Sequence, residues 1–121
     1  MYNIKVDEEQ MRVMANALDI YSRLKAGQIK MISDLFFEKD YDMQALDYCA
    51  LQMKIILFPE LEENSYYGIY GDKTPEESKV AYDIGKVIKH HLQKGSKYWS
   101  VHSDEHLLLA SGKPVKIEKV K

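Results

Sequence analysis

The chain has 121 residues, 45% of them hydrophobic and 30% charged, so it is neither disordered nor collagen-like, and it is long enough to fold as one domain over residues 1–121. Its single cysteine, Cys49, cannot form an intrachain disulfide, the N-terminus lacks the pattern of a secretory signal, and no apolar run approaches the roughly 20 residues of a membrane span. These features lead us to expect a soluble cytoplasmic protein. The net charge of −2 argues against bulk nucleic-acid binding through a basic surface.

The N-terminal part of the chain predicts a strand and two helices. Residues 2–6 alternate between apolar and polar side chains, as a short strand does. Asp7 and Gln10 form a variant of the capping box, which predicts the start of a helix that Gly27 ends. Apolar residues at helical spacing predict a second helix over residues 28–38.

A third helix is predicted from the middle of the chain. Asp40 or Asp42 is its cap, and it runs to Phe58 because Pro59 cannot continue the hydrogen-bonding pattern. Its core-facing stripe is predicted to contain Leu46, Cys49, Met53 and Ile56.

A fourth helix has the clearest start signal in the chain. Thr74 is the expected cap, Pro75 occupies the first helical position, and Gly95 is the expected stop. The predicted buried stripe contains Val80, Ile84, Val87, Ile88 and Leu92. The predicted outward-facing residues are Lys79, Asp83, Lys86, Lys89, His90 and Lys94.

Two further strands are predicted after the fourth helix, at residues 98–101 and 115–117. Together with residues 2–6 they suggest a small sheet built from short strands near both termini. We therefore expect a predominantly helical α+β fold with about four helices.

The four histidines give a poor case for a metal site. His102 and His106 are four residues apart, but a helix starting at Ser103 would leave His102 before its cap, so the two need not share a face. The ordinary alternative is a set of solvated histidines. We predict no metal site and no cofactor.

Positive charge is concentrated in the second half of the chain. Residues 1–63 hold 7 basic and 12 acidic side chains, whereas residues 64–121 hold 10 and 7. Residues 79–97 contain five lysines and one acid. This stretch suits an anion, although lysines near a helix C-terminus also stabilise the helix dipole. Arg23 suits a phosphate or carboxylate, but a salt bridge to Asp19 would explain it equally well.

Two blocks of the sequence resemble uncharacterised small proteins encoded by tailed bacteriophages and prophages. They are residues 16–24 (NALDIYSRL) followed by Gly27 and Gln28, and residues 81–92 (AYDIGKVIKHHL). A Ser-Tyr-Gly-Ile segment also lies between the blocks in those proteins, and residues 65–69 (SYYGI) match it with one additional tyrosine. The resemblance implies a phage accessory protein that acts in an infected or lysogenic bacterial host.

Such accessory proteins commonly counter host defences, and one route is an oligomeric sponge that sequesters a nucleotide immune signal without cleaving it. The leading hypothesis is therefore a homo-oligomer that holds a small anionic, nucleotide-like ligand between subunits. The candidate contacts are Arg23, Gln28, Tyr82, Lys86, Lys89 and His90. One alternative is an adaptor that inhibits a host enzyme through residues 66–70. Another is a phosphodiester hydrolase built from Asp83, His90 and a carboxylate of Asp104 or Glu105.

Overall fold

A computed structural model describes residues 1–93, 110–113 and 115–120. Its helices are α1 (Glu8–Lys25), α2 (Met31–Leu35), α3 (Met43–Leu57) and α4 (Glu76–Gln93). Helix α1 packs against α4 and α2, and α2 packs against α3. None of the helices in the described ranges is long and apolar enough to cross a membrane.

The starts of α1 and α3 follow the capping signals of the sequence, whereas the hydroxyl of Thr74, the expected cap of α4, donates to the carbonyl of Gly68. Gln10 N donates to the Asp7 carboxylate at 2.8 Å and Gln10 Oε1 accepts from Asp7 N at 2.9 Å, which completes the predicted capping box. Of the two expected caps for α3, Asp42 is used, and it accepts from Ala45 N at 3.1 Å. Helix α2 has no such cap and is shorter than the predicted helix over residues 28–38.

Helices α1 and α4 form a closely packed antiparallel pair. Ser22 Oγ donates to the carbonyl of Ser78 at 2.9 Å, and the Ser78 hydroxyl donates to the carbonyl of Ser22. Two turns further along α4, a Cβ at Gly85 would lie 3.5 Å from Leu18 Cβ and 3.6 Å from the carbonyl of Ala15. Small residues therefore bring the two helices close together at both of these points.

The expected small sheet is wrong: the described residues contain no strand, and the fold there is all-α. No backbone hydrogen bond pairs residues 2–6 or 115–117 with another segment among the described residues. Tyr2 and Ile4 are 97% and 76% exposed. An alternating pattern needs a neighbouring strand and a core, and this segment has neither within the described structure. The predicted strand at residues 98–101 and the expected stop at Gly95 lie outside the described residues.

Helix α3 exposes the side that was predicted to be buried. Cys49, Met53 and Ile56 are exposed, whereas Ala50 and Lys54 are buried. Periodicity alone identifies faces of a helix without showing which of them meets the core. The prediction of an apolar core stripe on α3 is therefore wrong for three of its four residues.

Polar contacts hold the inner side of α3. Asp47 accepts from Ser33 Oγ at 2.7 Å, which ties α3 to α2. Lys54 Nζ donates to the carbonyl of Glu63 at 2.8 Å and to the carbonyl of Ser65. The connection between α3 and α4 is in turn held to the end of α1, because Tyr67 N donates to the carbonyl of Ala26 at 2.9 Å.

Candidate anion-binding site

Two basic side chains from different helices meet at one carboxylate. Arg23 Nε donates to both oxygens of Asp19 at 3.1 Å, and Lys89 Nζ of α4 lies 3.8 Å from Asp19 Oδ1. The Arg23–Asp19 pair follows from their four-residue spacing on α1, whereas Lys89 reaches Asp19 because α1 and α4 are antiparallel neighbours. Arg23 and Lys89 are 48% and 39% exposed, so water and solutes reach both.

Gln28 completes one side of this group. Arg23 Nη1 donates to Gln28 Oε1 at 3.3 Å, and Gln28 N donates to the carbonyl of Arg23 at 3.0 Å. Gly27, whose φ is +101°, provides the sharp turn between the two. The contacts with Asp19 and Gln28 occupy two of the five N–H groups of the guanidinium among the described residues, which leaves donors on the exposed edge for an anion.

A second group lies on the same helix α4, around Tyr82. Lys86 Nζ lies 5.3 Å from the centroid of the Tyr82 ring, within cation–π range, and 3.4 Å from the hydroxyl of Tyr70. Burial raises the pKa of Tyr82, and the Tyr70 hydroxyl and the carboxylates of Asp83 and Asp19 raise it further. Tyr82 therefore stays a neutral phenol at physiological pH and lies within electrostatic reach of Asp19.

Three residues of α4 predicted to face outward are buried instead: Asp83, Lys86 and His90. The prediction failed because it counted charged residues as solvated, while each of these side chains is enclosed within the fold. Arg23, Gln28 and Lys89 come together as half-accessible candidates. Tyr82 and Lys86 form the adjacent group, and His90 is buried one turn beyond Lys86.

The carboxylate of Asp83 is held by backbone amides. Ala110 N donates to Oδ1 at 2.6 Å, Ser111 N donates to Oδ2 at 2.8 Å, and the Ser111 hydroxyl donates to Oδ2 as well. With both oxygens engaged and the side chain 1% exposed, Asp83 is poorly placed to accept a proton from a substrate. Asp104 and Glu105, the other acids of the hydrolase hypothesis, lie outside the described residues.

A cleft of about 390 Å³ opens beside Arg23 and Gln28. Its wall continues through the cations Lys30 and Lys54 and the acids Asp34, Asp47 and Glu63, with Asn64, Ser65 and Tyr66 from the connection. This volume is within the usual range for a small-molecule site. Arg23 thus belongs both to the cation pair on Asp19 and to the wall of the cleft.

Sequence reasoning missed Lys30 and Lys54 as part of this site. Burial is the main cause that lowers the pKa of Lys54, the nearby Glu63 carboxylate opposes this, and Lys30 adds to the lowering. The available signal was Lys54 itself, one of only two charged residues in the 15 residues of α3. A lone lysine in an apolar helix needs partners for its ammonium group, and here they are backbone carbonyls.

The described residues contain no group of three side chains that could hold a metal ion, and His102 and His106 lie outside the described ranges. Comparisons of the chain with known protein families, curated proteins and solved structures find no match. The arrangement of side chains is therefore the basis for any functional conclusion.

Proposed function

We propose that this protein binds a small phosphate-bearing ligand of the nucleotide type and sequesters it without cleaving it. The observation that carries the proposal is the convergence of Arg23 and Lys89 on the carboxylate of Asp19, with Arg23 also lining the 390 Å³ cleft. Two cations share one acid at this point, so a phosphate can bind there without displacing a fully neutralised ion pair.

The rest of the cleft suits the neutral part of such a ligand. Its wall offers both hydrogen-bond acceptors and donors, from Asp34, Asp47 and Asn64, and the aromatic ring of Tyr66. Base edges are recognised by such polar groups and base faces by aromatic rings. The cleft is lined by residues of one chain, so we propose that a single chain can bind the ligand.

The proposal of sequestration without cleavage draws support from Asp83. Its two oxygens accept hydrogen bonds from the amides of Ala110 and Ser111, which favours a structural use of this carboxylate over the catalytic use in the hydrolase alternative. A role as a phage accessory protein that captures a nucleotide immune signal remains the biological setting that the sequence resemblance suggests.

Titration calorimetry against cyclic dinucleotides and ADP-ribose derivatives tests the proposal. We expect at least one compound to bind, and we expect Arg23→Ala to weaken that binding about tenfold or more, because a hydrogen bond to a charged group contributes about 1.5–3 kcal/mol. The matched control is Arg12→Ala. Arg12 is an exposed arginine on the same helix whose partner is Glu8, and its loss should leave the affinity unchanged.

Recovery of the ligand separates capture from catalysis. The heated complex should release the compound intact, as judged by mass spectrometry. Equal affinities of the wild type and Arg23→Ala would refute the site, and cleaved ligand would refute sequestration.

An adaptor function has one observation in its favour: Tyr66 and Tyr70 are exposed on the connection between α3 and α4. Two results together would favour the adaptor over the ligand-binding protein. No compound of the panel would bind, and a host protein would copurify with the wild type but not with a Tyr66→Ala, Tyr70→Ala double variant.

A further inference from the structure

Lys54 places a positive charge in the wall of the cleft without a carboxylate to balance it. The residue is 5% exposed, and it lines the cleft. Its ammonium group donates to the carbonyl of Glu63 at 2.8 Å and to the carbonyl of Ser65. Carbonyl groups accept hydrogen bonds but carry no net charge, so the charge of Lys54 remains uncompensated.

The other two cations of the cleft wall differ from Lys54 because each has a carboxylate partner. Arg23 pairs with Asp19 at 3.1 Å, and Lys30 pairs with the carboxylate of Glu63 at 3.5 Å. In the part of the chain that the structure describes, Lys54 forms no salt bridge. An enclosed charge normally has an opposite charge beside it, because it has lost the stabilisation that water provides. Lys54 is therefore the cation of the wall that gains most from an anionic ligand.

The pKa of Lys54 agrees with this description. Burial lowers the pKa, the Glu63 carboxylate opposes the lowering, and Lys30 adds to it. Because the net result is a lowered pKa, the described surroundings stabilise the charged form of Lys54 less well than water does. A bound anion would supply the missing stabilisation.

The ammonium group of Lys54 also retains a donor for a ligand. An ammonium group has three N–H bonds, and the carbonyls of Glu63 and Ser65 accept from two of them. A phosphate oxygen accepts the third hydrogen bond and brings negative charge, whereas a neutral ligand atom would supply the hydrogen bond alone. The chemistry of Lys54 therefore favours an anionic group.

Lys54 and Arg23 are close enough for one ligand to contact both. Lys54 contacts the carbonyl of Ser65, and two residues later Tyr67 N donates to the carbonyl of Ala26 at the end of α1. Three residues of extended chain reach about 10 Å at most. The end of α1, which carries Arg23, therefore lies within the length of a nucleotide from the contact of Lys54.

We propose that the ligand carries two phosphate groups, and that Lys54 binds the second of them while Arg23 and Lys89 bind the first. This inference rests on the function proposed above, and it narrows the ligand from any phosphate-bearing nucleotide to one with two phosphates. Dinucleotides and nucleoside diphosphates both have this chemistry. Lys54 thereby determines the preference for two phosphates over one.

Titration calorimetry with AMP, ADP, cyclic di-AMP and their guanine counterparts tests the inference. The two phosphates are adjacent in ADP and separated in cyclic di-AMP, so the panel covers both arrangements. We expect at least one two-phosphate ligand to bind the wild type about tenfold or more tightly than the monophosphate of the same base, because it gains a charge-assisted hydrogen bond.

Lys54→Met removes the charge of the side chain and nearly keeps its length. In this variant we expect the preference for two phosphates to fall to about twofold or less, while the affinity for the monophosphate stays unchanged. A purely structural Lys54, which only attaches the connection to α3, would instead weaken the binding of both kinds of ligand by the same factor. Circular dichroism checks that the variant keeps the helix content of the wild type.

Three further variants provide the controls. Lys54→Arg keeps the charge and should keep most of the preference. Lys25→Met removes an exposed lysine that does not line the cleft, and it should keep the whole preference. Arg23→Ala should weaken the binding of ligands with one and two phosphates alike, so the ratio of their affinities should stay that of the wild type.

Lysine-selective NMR of the wild type gives a measurement that does not depend on the stability of any variant. The side-chain signal of Lys54, assigned through its bonds to the backbone of α3, should shift when the preferred two-phosphate ligand is added and stay in place when the monophosphate is added.

The outcomes distinguish this inference from the function on which it rests. Equal affinities of the wild type for one and two phosphates, a preference that Lys54→Met retains, or a Lys54 signal that does not shift would overturn the inference and leave the site at Arg23 intact. Absence of binding by every compound of the panel would overturn both.

Discussion

Gly27 shows how one residue shapes the candidate site. Its φ of +101° is rarely adopted by residues with a side chain, and a Cβ there would lie 2.7 Å from Leu61 Cδ1. This turn reverses the chain direction immediately after α1, and the side chain of Gln28 therefore reaches Arg23. The conformation of Gly27 therefore determines both where α1 ends and where Gln28 lies in the wall of the cleft.

We expect Gly27→Ala to lower the free energy of unfolding by about 1–2 kcal/mol, the usual cost of a left-handed backbone for a residue with a Cβ. Gly68→Ala is the matched control, because that glycine has no positive φ and open space where the Cβ would be. Urea unfolding monitored by circular dichroism measures both variants. Equal stability of the two would show that the turn at residue 27 relaxes at no cost.

At the residue scale, the sequence indicated which side chains can form an ion pair better than it indicated which side chains are buried. It indicated Arg23 and its partner Asp19 correctly, because their spacing on a helix is enough to bring them together. It could not show that Asp83, Lys86 and His90 are buried or that Lys54 is enclosed, because these environments depend on segments distant in sequence. Residue type alone favours solvent for Asp83, Lys86 and Lys54, and it does not decide the case of His90.

At the scale of elements, the contact between α1 and α4 depends on small side chains. Ser78 is fully buried against Ser22, and Gly85 faces Leu18 and Ala15. The distances at Gly85 correspond to ordinary van der Waals contact for one added methyl group and leave no room for a larger side chain.

Two substitutions at Gly85 should therefore have opposite effects. Gly85→Ala should raise the free energy of unfolding by up to about 1 kcal/mol, because alanine restricts the unfolded chain and favours helix. Gly85→Leu should lower it by about 1–3 kcal/mol through overpacking against α1. Thermal and urea unfolding of the pair gives the comparison, and a Leu variant as stable as the Ala variant would contradict the close approach of the helices.

Capping signals explain why the helices could be predicted better than their faces. Asp7, Gln10 and Asp42 act within four residues of their partners, so local sequence determines where α1 and α3 start. Nearly every position of α3 is apolar or uncharged, so apolar spacing could not distinguish its inner side from its outer side. The strand predicted at residues 2–6 failed for a related reason, since alternation requires a partner that sequence does not supply.

At the scale of the whole molecule, Asp83 joins two distant parts of the chain. Through the amides of Ala110 and Ser111, it attaches the segment that follows the described helices to the buried side of α4. A carboxylate that accepts several such bonds at 1% exposure is a strong local anchor.

Asp83→Ala should lower the free energy of unfolding by about 2–3 kcal/mol, since it removes charge-assisted hydrogen bonds and leaves amide groups without their acceptor. Hydrogen exchange gives a more specific signature: the amides of Ala110 and Ser111 should lose protection while those of Ser22 and the rest of α1 keep it. Asp72→Ala, at an exposed position of the connection, should change neither quantity. Unchanged exchange at Ala110 and Ser111 in Asp83→Ala would contradict the anchoring role.

The candidate site as a whole was partly predictable. Arg23, Gln28 and Lys89 were expected on chemical grounds, but their convergence depends on the antiparallel arrangement of α1 and α4, which no local pattern specifies. The cleft could not be predicted, because its wall combines the end of α1, helix α2, the inner side of α3 and the connection.

The two sides of α3 separate the cleft from an exposed thiol. Asp47 and Lys54 line the cleft from the inner side, while Cys49 and Ile56 lie on the outer side. A fluorescent label attached to Cys49 would therefore stand on the opposite side of the helix from the cleft and could report on the protein without entering it.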